Sequence, residues 1–274
     1  MTDALAAAGS PADGAGADAV TLQVADGVAV VSLGRAPVNA LTVATYREIT
    51  AAFRAIAEDA AVSVAVLRSA LPNVFSAGAD VKDLERNLLA GNTGYDEERQ
   101  VAARELFESI LHCPVPVIGC VNRTALGAGA VMLACCDFRV ASERAQIGLT
   151  EINVGRCGGG RHMARILPQG WVRRMYFTGQ PLSAAEFHRL GAIEELTADG
   201  AEFDRALELA RAVAGKSPVA VRLGKQALDG AEGLGVEEGY RLEQTYTLRL
   251  GATEDAREAV AAFREKRAPV WVGR

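Results

Sequence analysis

Two short segments of small residues are the parts of this sequence best suited to chemistry on a bound carbonyl group. They read Phe75-Ser-Ala-Gly-Ala-Asp80 and Ala125-Leu-Gly-Ala-Gly-Ala130, and each follows a β-rich run and precedes a helical pattern. Small side chains let a ligand approach the main chain, and N–H groups at a helix start are free and carry positive partial charge. Two such N–H groups pointing at one oxygen would form an oxyanion hole. Ordinary tight packing turns explain either segment alone about equally well.

Other familiar catalytic patterns are poorly supported. Neither segment has the GxGxxG spacing of a dinucleotide site or the Lys-Ser/Thr end of a phosphate loop. Ser76 does not lie in a GxSxG elbow, and Cys135 and Cys136 lie in an apolar helical pattern, as small core residues do. The three histidines are far apart and no CxxC or HExxH motif occurs, so we expect no metal site.

Strand and helix patterns alternate around these two turns. Apolar and polar residues alternate on either side of Asp26-Gly27, which predicts a hairpin. The strand patterns lie at residues 20–24, 28–30, 64–67, 115–121 and 138–141. Helical patterns lie at residues 42–57 and 91–111, and an apolar helix ends near residue 136. This alternation predicts an α/β fold.

Helical patterns dominate the chain after Thr197, where we place a boundary. They lie at residues 203–213, 219–228, 236–250 and 254–264. Ser183 and Asp199 each have a Glu three residues later, as in a capping box. We therefore expect a disordered N-terminal lead at residues 1–19, an α/β core at 20–197 and a helical C-terminal region at 198–274.

Composition excludes several classes of function. The chain has 274 residues and a net charge of −5, half of its residues are hydrophobic, and it has no long basic run, which argues against a general nucleic-acid or anionic-membrane binder. No apolar stretch approaches the ~20 residues of a membrane span. The lead has no positive start and no apolar stretch, so we do not expect a secretory signal. Five cysteines without paired spacings favour a reducing cytoplasm.

Several motifs also occur in a fixed order along the chain. Phe75-Ser-Ala-Gly-Ala-Asp-Val-Lys82 fits an (F)xAGADxK signature, and Arg35-Ala-Pro-Val-Asn-Ala-Leu41 precedes it. A glycine-rich turn and helix follow at residues 121–137, and an acidic segment follows at residues 147–155. Later segments lie at residues 178–186, 217–221 and 262–267. Together they resemble the crotonase superfamily, the enoyl-CoA hydratase/isomerase family, over residues 20–274.

The resemblance implies a crotonase-like spiral of ββα repeats followed by a helical region that packs against neighbouring subunits. The subunits of this family form homotrimers or dimers of trimers. It implies an acyl-CoA substrate, with coenzyme A as part of that substrate and no permanently bound cofactor. It gives no reason to expect nucleic acid or a membrane as partner.

The resemblance also assigns roles to individual residues. The thioester oxygen would sit between the backbone N–H groups of Ala79 and Ala128, and Gly127 would form part of the same turn. The strip Ala77, Gly78, Asp80, Val81 and Lys82 would line the coenzyme A, with Val38 and Ala40 along the same ligand. Glu151 would be the catalytic carboxylate, although a surface or salt-bridged Glu is the usual alternative.

One position departs from the hydratases of this family, which use two glutamates. The second glutamate is present as Glu151, whereas the first is replaced by Val131. Hydration divides the work of activating water and delivering a proton between two carboxylates, whereas a double-bond shift needs one. An aliphatic residue at the first position also resembles the Δ3-Δ2-enoyl-CoA isomerases of the family.

Three hypotheses follow for the function. The favoured one is isomerisation of a 3-enoyl-CoA to a 2-enoyl-CoA, with Glu151 as acid and base. The second is an enoyl-CoA hydratase or another crotonase-type lyase, in which a substrate group or another side chain replaces the missing glutamate. The third is an acyl-CoA-binding or assembly protein without useful turnover. The sequence does not identify the acyl chain.

Overall fold

The computed structural model of the chain describes residues 19–274. The predicted disordered lead lies outside the described residues, apart from its last position, residue 19. The described part forms twelve β-strands and eleven α-helices, with a 3-10 helix at Glu151–Val154. None of the helices in this part combines the length and the apolar character that crossing a membrane requires.

The secondary structure has the following bounds. The strands are β1 (Val20–Ala25), β2 (Val28–Leu33), β3 (Ala40–Leu41), β4 (Val64–Ser69), β5 (Val74–Ser76), β6 (Gly78–Ala79), β7 (Val117–Val121), β8 (Thr124–Leu126), β9 (Phe138–Ser142), β10 (Gln146–Gly148), β11 (Leu182–Ser183) and β12 (Glu195–Thr197). The helices are α1 (Val43–Glu58), α2 (Val81–Leu89), α3 (Tyr95–Leu111), α4 (Ala128–Cys135), α5 (Gly160–Met163), α6 (Gln169–Thr178), α7 (Ala184–Arg189), α8 (Glu202–Ala214), α9 (Pro218–Ala231), α10 (Val236–Gly251) and α11 (Glu254–Glu265).

Six strands form one sheet in the order β1-β2-β4-β7-β9-β12. β1 and β2 pair antiparallel around Asp26-Gly27, which confirms the predicted hairpin. The other neighbours in this sheet pair parallel. Strands of a parallel sheet that is covered on both faces carry continuous apolar runs, and β2 and β7 are buried along their whole length.

Alternate residues of the central strands pack into two separate groups, one on each face of the sheet. On one face, Val30, Val66 and Ile118 pack with Leu207 and Ala210 of α8. The other face belongs to the larger core, which includes side chains from α1, α3 and α4. Helix α8, the first helix after Thr197, therefore covers one face of this sheet.

Two smaller sheets carry the small-residue turns. One has the strand order β11-β10-β8-β5, and the other pairs β3 with β6. β5 continues through β6 into α2, and β8 continues directly into α4. Residues 75–80 and 125–130 thus each connect a strand to a helix, as their sequence patterns predict.

Two predicted capping boxes had different outcomes. Ser183 caps α7 as predicted, by accepting a hydrogen bond from the N–H of Glu186 at 3.2 Å, whereas the Glu186 carboxylate pairs with Arg189 at 2.8 Å. The prediction at Asp199 was wrong, since α8 begins after Ala201 and has no side-chain cap. Asp199 instead forms an ion pair with Arg123 at 2.5 Å. A nearby cation therefore competes successfully with the helix start for this carboxylate.

Candidate active site

A cavity of about 240 Å³ lies where α1, α3 and the start of α4 meet the β6 turn and the 3-10 helix. Its wall combines mainly small and apolar residues with a few polar groups, which is the usual form of a small-molecule site. Eight of the residues that the resemblance assigns to the site line this cavity: Ala77, Gly78, Ala79, Asp80, Val81, Gly127, Ala128 and Glu151.

The first donor segment is held by pairing between β3 and β6. The N–H of Ala77 donates to the carbonyl of Val38 at 3.0 Å, and the N–H of Asp80 donates to that of Leu41 at 2.9 Å. The N–H of Gly78 donates to Ser76 Oγ at 3.1 Å. Gly78 has a φ of +84°, a conformation that favours glycine. This turn presents Ala79, which follows it, at the cavity.

The second donor segment is the start of α4. The N–H of Gly127 donates to the carbonyl of Gly148 at 2.8 Å, which joins this turn to β10. Gly127 has a φ of +52° and α4 begins at Ala128 without a side-chain cap. N–H groups in the first turn of a helix have no acceptor within the helix and carry partial positive charge. Ala128 thus begins a helix whose N-terminus lies at the cavity.

The two donor segments touch each other through glycine backbone. A Cβ atom at Gly78 would lie 2.7 Å from the carbonyl oxygen of Leu126 and 3.4 Å from the nitrogen of Ala128. A Cβ atom at Gly129 would lie 2.9 Å from the carbonyl oxygen of Ser76. Side chains at these positions would push the segments apart. The structure therefore brings Ala79 and Ala128 to neighbouring positions on one wall of the cavity.

Glu151 begins the 3-10 helix, and its carboxyl group packs against the same turn. Its Oε1 lies 2.7 Å from the position that a Cβ atom at Gly127 would take. Its Oε2 is buried and has no hydrogen-bond partner among the described residues. Within residues 19–274, Arg156 pairs with Asp96 and not with Glu151. The salt-bridge alternative for Glu151 therefore finds no partner in this part of the chain.

The environment of Glu151 favours its protonated form. Burial raises the pKa of Glu151 above its ordinary value of 4.5. The backbone N–H groups of Glu151 and Thr150, and the charge of Arg99, act in the opposite direction without cancelling the rise. A carboxyl group with a raised pKa is better suited to give and take protons near neutral pH.

Val131 lies on the same wall, one helical turn into α4. It lines the cavity and is 2% exposed. A Cβ atom at Gly159 would lie 2.5 Å from Val131 Cγ2, so this side chain fills the space up to the opposite backbone. The resemblance assigns this position to the first of the two glutamates of the hydratases. In this chain the position holds an apolar side chain instead.

The remaining assigned residues lie in other surroundings. Val38, Ala40 and Lys82 do not line the cavity, and Val38 and Lys82 are exposed. Asp80 lines it, but its carboxylate caps α2 and pairs with Arg35 at 3.0 Å. The contribution of these residues to binding coenzyme A stays a prediction.

Several polar residues of the cavity wall were not predicted from the sequence, among them Tyr46, Arg99 and Arg156. Tyr46 falls on the apolar face of α1, where helical spacing indicates only a core residue. Arg99 lies in the charged segment that precedes Leu111, which indicates a solvated helix. Arg156 lies only five residues after Glu151 in the sequence, but in the structure it pairs with Asp96.

Comparisons with known proteins give a consistent result. Residues 23–274 match the family model described as Enoyl-CoA hydratase/isomerase. The chain is 35% identical to enoyl-CoA hydratase domain-containing protein 2, mitochondrial, of Mus musculus over 243 residues, which cover 86% of this chain and 81% of that protein. It is 30% identical to the short-chain-enoyl-CoA hydratase of Clostridium acetobutylicum, over 90% of this chain and 95% of that protein.

Solved structures show the same likeness. The enoyl-CoA hydratase from Bacillus anthracis superimposes with a TM-score of 0.87 and 30% sequence identity. The match covers 94% of this chain and 100% of that chain. The similarity therefore extends through both the sheets and the C-terminal helices.

Proposed function

This chain belongs to the enoyl-CoA hydratase/isomerase family, and we propose that its reaction is the shift of a double bond in an enoyl-CoA thioester from the 3- to the 2-position. The proposed catalyst is Glu151, with the backbone N–H groups of Ala79 and Ala128 as the oxyanion hole. The acyl group would occupy the cavity beside these residues, and coenzyme A would enter as part of the substrate.

The proposed steps need one carboxylate. The ionised Glu151 removes a proton from C2 of the 3-enoyl thioester, and the electrons of that bond move onto the thioester oxygen as a dienolate. The two N–H groups stabilise this charge as it forms. The protonated Glu151 then returns the proton at C4, which leaves the double bond conjugated with the thioester and regenerates the carboxylate.

One observation carries the preference for isomerisation. Among residues 19–274, the carboxylates that line the cavity are those of Glu151 and Asp80. Asp80 is already bound to Arg35 and to the start of α2, whereas Glu151 Oε2 has no partner in the described part of the chain. With Val131 at the other candidate position, the cavity offers a single unengaged carboxylate. Such a site supports proton transfer more directly than the activation of water by two carboxylates.

Hydration is the second candidate, because relatives with similar sequences are named as hydratases. A hydratase with this cavity would need a substrate group or another side chain to orient the water. Binding without turnover is a third possibility, in which the same cavity holds an acyl-CoA and Glu151 does not take part in proton transfer.

Product analysis distinguishes isomerisation, hydration and binding without turnover. The purified protein is incubated with 3-enoyl-CoA and, separately, with 2-enoyl-CoA thioesters, and products are followed by ultraviolet absorbance and mass. We expect a conjugated product of unchanged mass from the 3-enoyl substrate. Addition of one water to the 2-enoyl substrate, without isomerisation, would establish hydration instead. Binding of both thioesters without any product would contradict both enzymatic proposals.

A further inference from the structure

One side of the cavity carries positive charge although most of the wall is apolar. Arg99 and Arg156 both line it, and Arg99 is only 9% exposed. A guanidinium that has lost most of its water needs hydrogen-bond acceptors in exchange. Asp96 pairs with both arginines, and Tyr46 lies beside Arg99. We call these four residues, Tyr46, Asp96, Arg99 and Arg156, the polar wall.

Asp96 neutralises only one of the two arginines. Its Oδ1 accepts hydrogen bonds from Nε and Nη2 of Arg99 at 3.2 and 2.7 Å, and its Oδ2 accepts one from Arg156 Nη1. Both carboxylate oxygens are thus engaged, and two cations and one anion leave a charge of +1. Arg99 Nη1 has no acceptor within residues 19–274. Glu151 lines the same cavity and interacts with Arg99, whose charge lowers the pKa of Glu151 against the effect of burial.

Tyr46 adds a neutral hydrogen-bonding group to the same wall. Its side chain is fully buried, and within residues 19–274 no group forms a hydrogen bond of normal geometry with its hydroxyl, although Arg99 lies close enough to lower its pKa. Burial raises the pKa of Tyr46 to about 12, so the phenol keeps its proton over the whole physiological range. A buried hydroxyl without a partner is rare in native proteins, because leaving it unpaired costs free energy. The polar wall therefore offers hydrogen-bonding groups that residues 19–274 leave without a full set of partners.

We infer that the polar wall binds a second oxygen function on the acyl group, beyond the thioester. A carboxylate fits best, because the wall has a net positive charge and the guanidinium fork matches carboxylate geometry. A ketone oxygen also accepts hydrogen bonds, but it carries no charge. A purely hydrocarbon chain would cover Arg99 and Tyr46 with carbon and leave their donors unpaired. The inference depends on the proposed function only in taking an acyl-CoA as the ligand.

Binding of three saturated thioesters tests this without any turnover. Hexanoyl-CoA, 5-oxohexanoyl-CoA and adipoyl-CoA have acyl chains of equal length that differ in the distal oxygen, and calorimetry gives their dissociation constants. We expect adipoyl-CoA to bind on the order of tenfold to a hundredfold more tightly than hexanoyl-CoA, with the ketone between them. If 5-oxohexanoyl-CoA binds most tightly, the polar wall still binds an oxygen of the acyl group, but that oxygen belongs to a carbonyl group and not to a carboxylate.

Two other outcomes would overturn the inference. Only the second of them would also contradict the proposed function. If hexanoyl-CoA binds as tightly as both oxygenated thioesters, the polar wall does not select oxygen, and the proposed double-bond shift is unaffected. If none of the three binds, the proposed function fails together with the inference.

Matched variants identify the residues responsible. We expect Arg99→Met to remove most of the preference for adipoyl-CoA, and Tyr46→Phe, which keeps the ring, to reduce it. Arg86→Met is the control, because Arg86 also pairs with an Asp three residues earlier but lies outside the cavity wall. Retained binding of hexanoyl-CoA shows that each variant is folded. Unchanged preference in both Arg99→Met and Tyr46→Phe would contradict the assignment.

Discussion

The carboxyl group of Glu151 is subject to opposing influences on its pKa, and burial is the strongest. The raised pKa predicts how activity depends on pH. Glu151 must be ionised to remove the first proton, so kcat/KM should fall as the pH is lowered through the raised pKa. The acidic limb should therefore have its midpoint above 4.5, the ordinary value for a Glu. A midpoint at or below that value, measured with a 3-enoyl-CoA, would contradict Glu151 as the buried base.

The absence of a side chain at Gly127 leaves room for the carboxyl group of Glu151. Gly127→Ala would place a Cβ atom 2.7 Å from Glu151 Oε1, in a backbone with a φ of +52°. We expect kcat to fall by at least about tenfold, because displacing a catalytic group by ~1 Å can cost up to ~100-fold. Gly170→Ala is the control, since a Cβ atom there meets nothing within 4 Å. Full activity in Gly127→Ala would show that the close approach has no catalytic consequence.

Sequence reasoning selected those residues of the cavity wall that lie in ordered motifs, and it did not select those that lie outside such motifs. Ala79, Ala128 and Glu151 belong to segments with recognisable spacing, and all three line one cavity. Tyr46 and Arg99 have no such signal, because periodicity alone describes one as core and the other as charged surface. Their meeting at the cavity depends on how α1 packs against α3, which a one-dimensional pattern does not contain.

At the level of elements, helix α1 begins at a side-chain cap and contributes a residue to the cavity wall. Thr42 caps this helix by accepting a hydrogen bond from the N–H of Thr45 at 3.2 Å, and Tyr46 follows in the first turn. Thr42→Ala should lower the free energy of unfolding by about 1 kcal/mol, as loss of an N-cap usually does. Urea unfolding measures this, with Thr247→Ala on the exposed side of α10 as control. Equal stability of both variants would contradict the capping role.

Elements with strong periodicity were predicted well, and short ones were not. The hairpin, α1, β4, β7 and β9 follow directly from their apolar patterns. A helix was expected after residue 80, but the bounds of α2 were not predicted, because Leu84 is its only buried residue and no apolar face can be recognised. Its start depends on the Asp80 cap, and Asp80 was interpreted as part of a ligand-binding strip instead.

For the whole molecule, the likeness to solved structures confirms the predicted α/β crotonase-like fold. That prediction came from the order of several motifs and not from the strand patterns, which indicate only alternating strands and helices. Composition and periodicity do not specify how the ββα units wind into a spiral. The winding depends on contacts between residues far apart in the chain, such as the parallel pairing of β5 with β8.

The surface of the C-terminal helices predicts self-association. Helices α10 and α11 expose large apolar side chains, including Val236, Leu248, Val260 and Phe263, which is 87% exposed. Monomeric proteins rarely leave large apolar patches in water. We expect sedimentation to give an oligomer, of three subunits or a multiple of three as the resemblance to the crotonase superfamily implies, and we expect Phe263→Glu to reduce the mass. Leu89→Glu, a comparably exposed position on α2, should leave the mass unchanged. A monomeric wild-type protein would contradict the prediction.

The most direct test of the account replaces Glu151 with glutamine, which keeps the shape of the side chain and removes the acid. Turnover of a 3-enoyl-CoA and binding of a saturated acyl-CoA are measured on the same preparation. We predict a loss of kcat of about 10²–10⁴-fold, the usual contribution of general acid–base catalysis, with binding retained. Undiminished turnover in Glu151→Gln would contradict the central claim, that one buried carboxyl group beside two backbone amides performs the proton transfers.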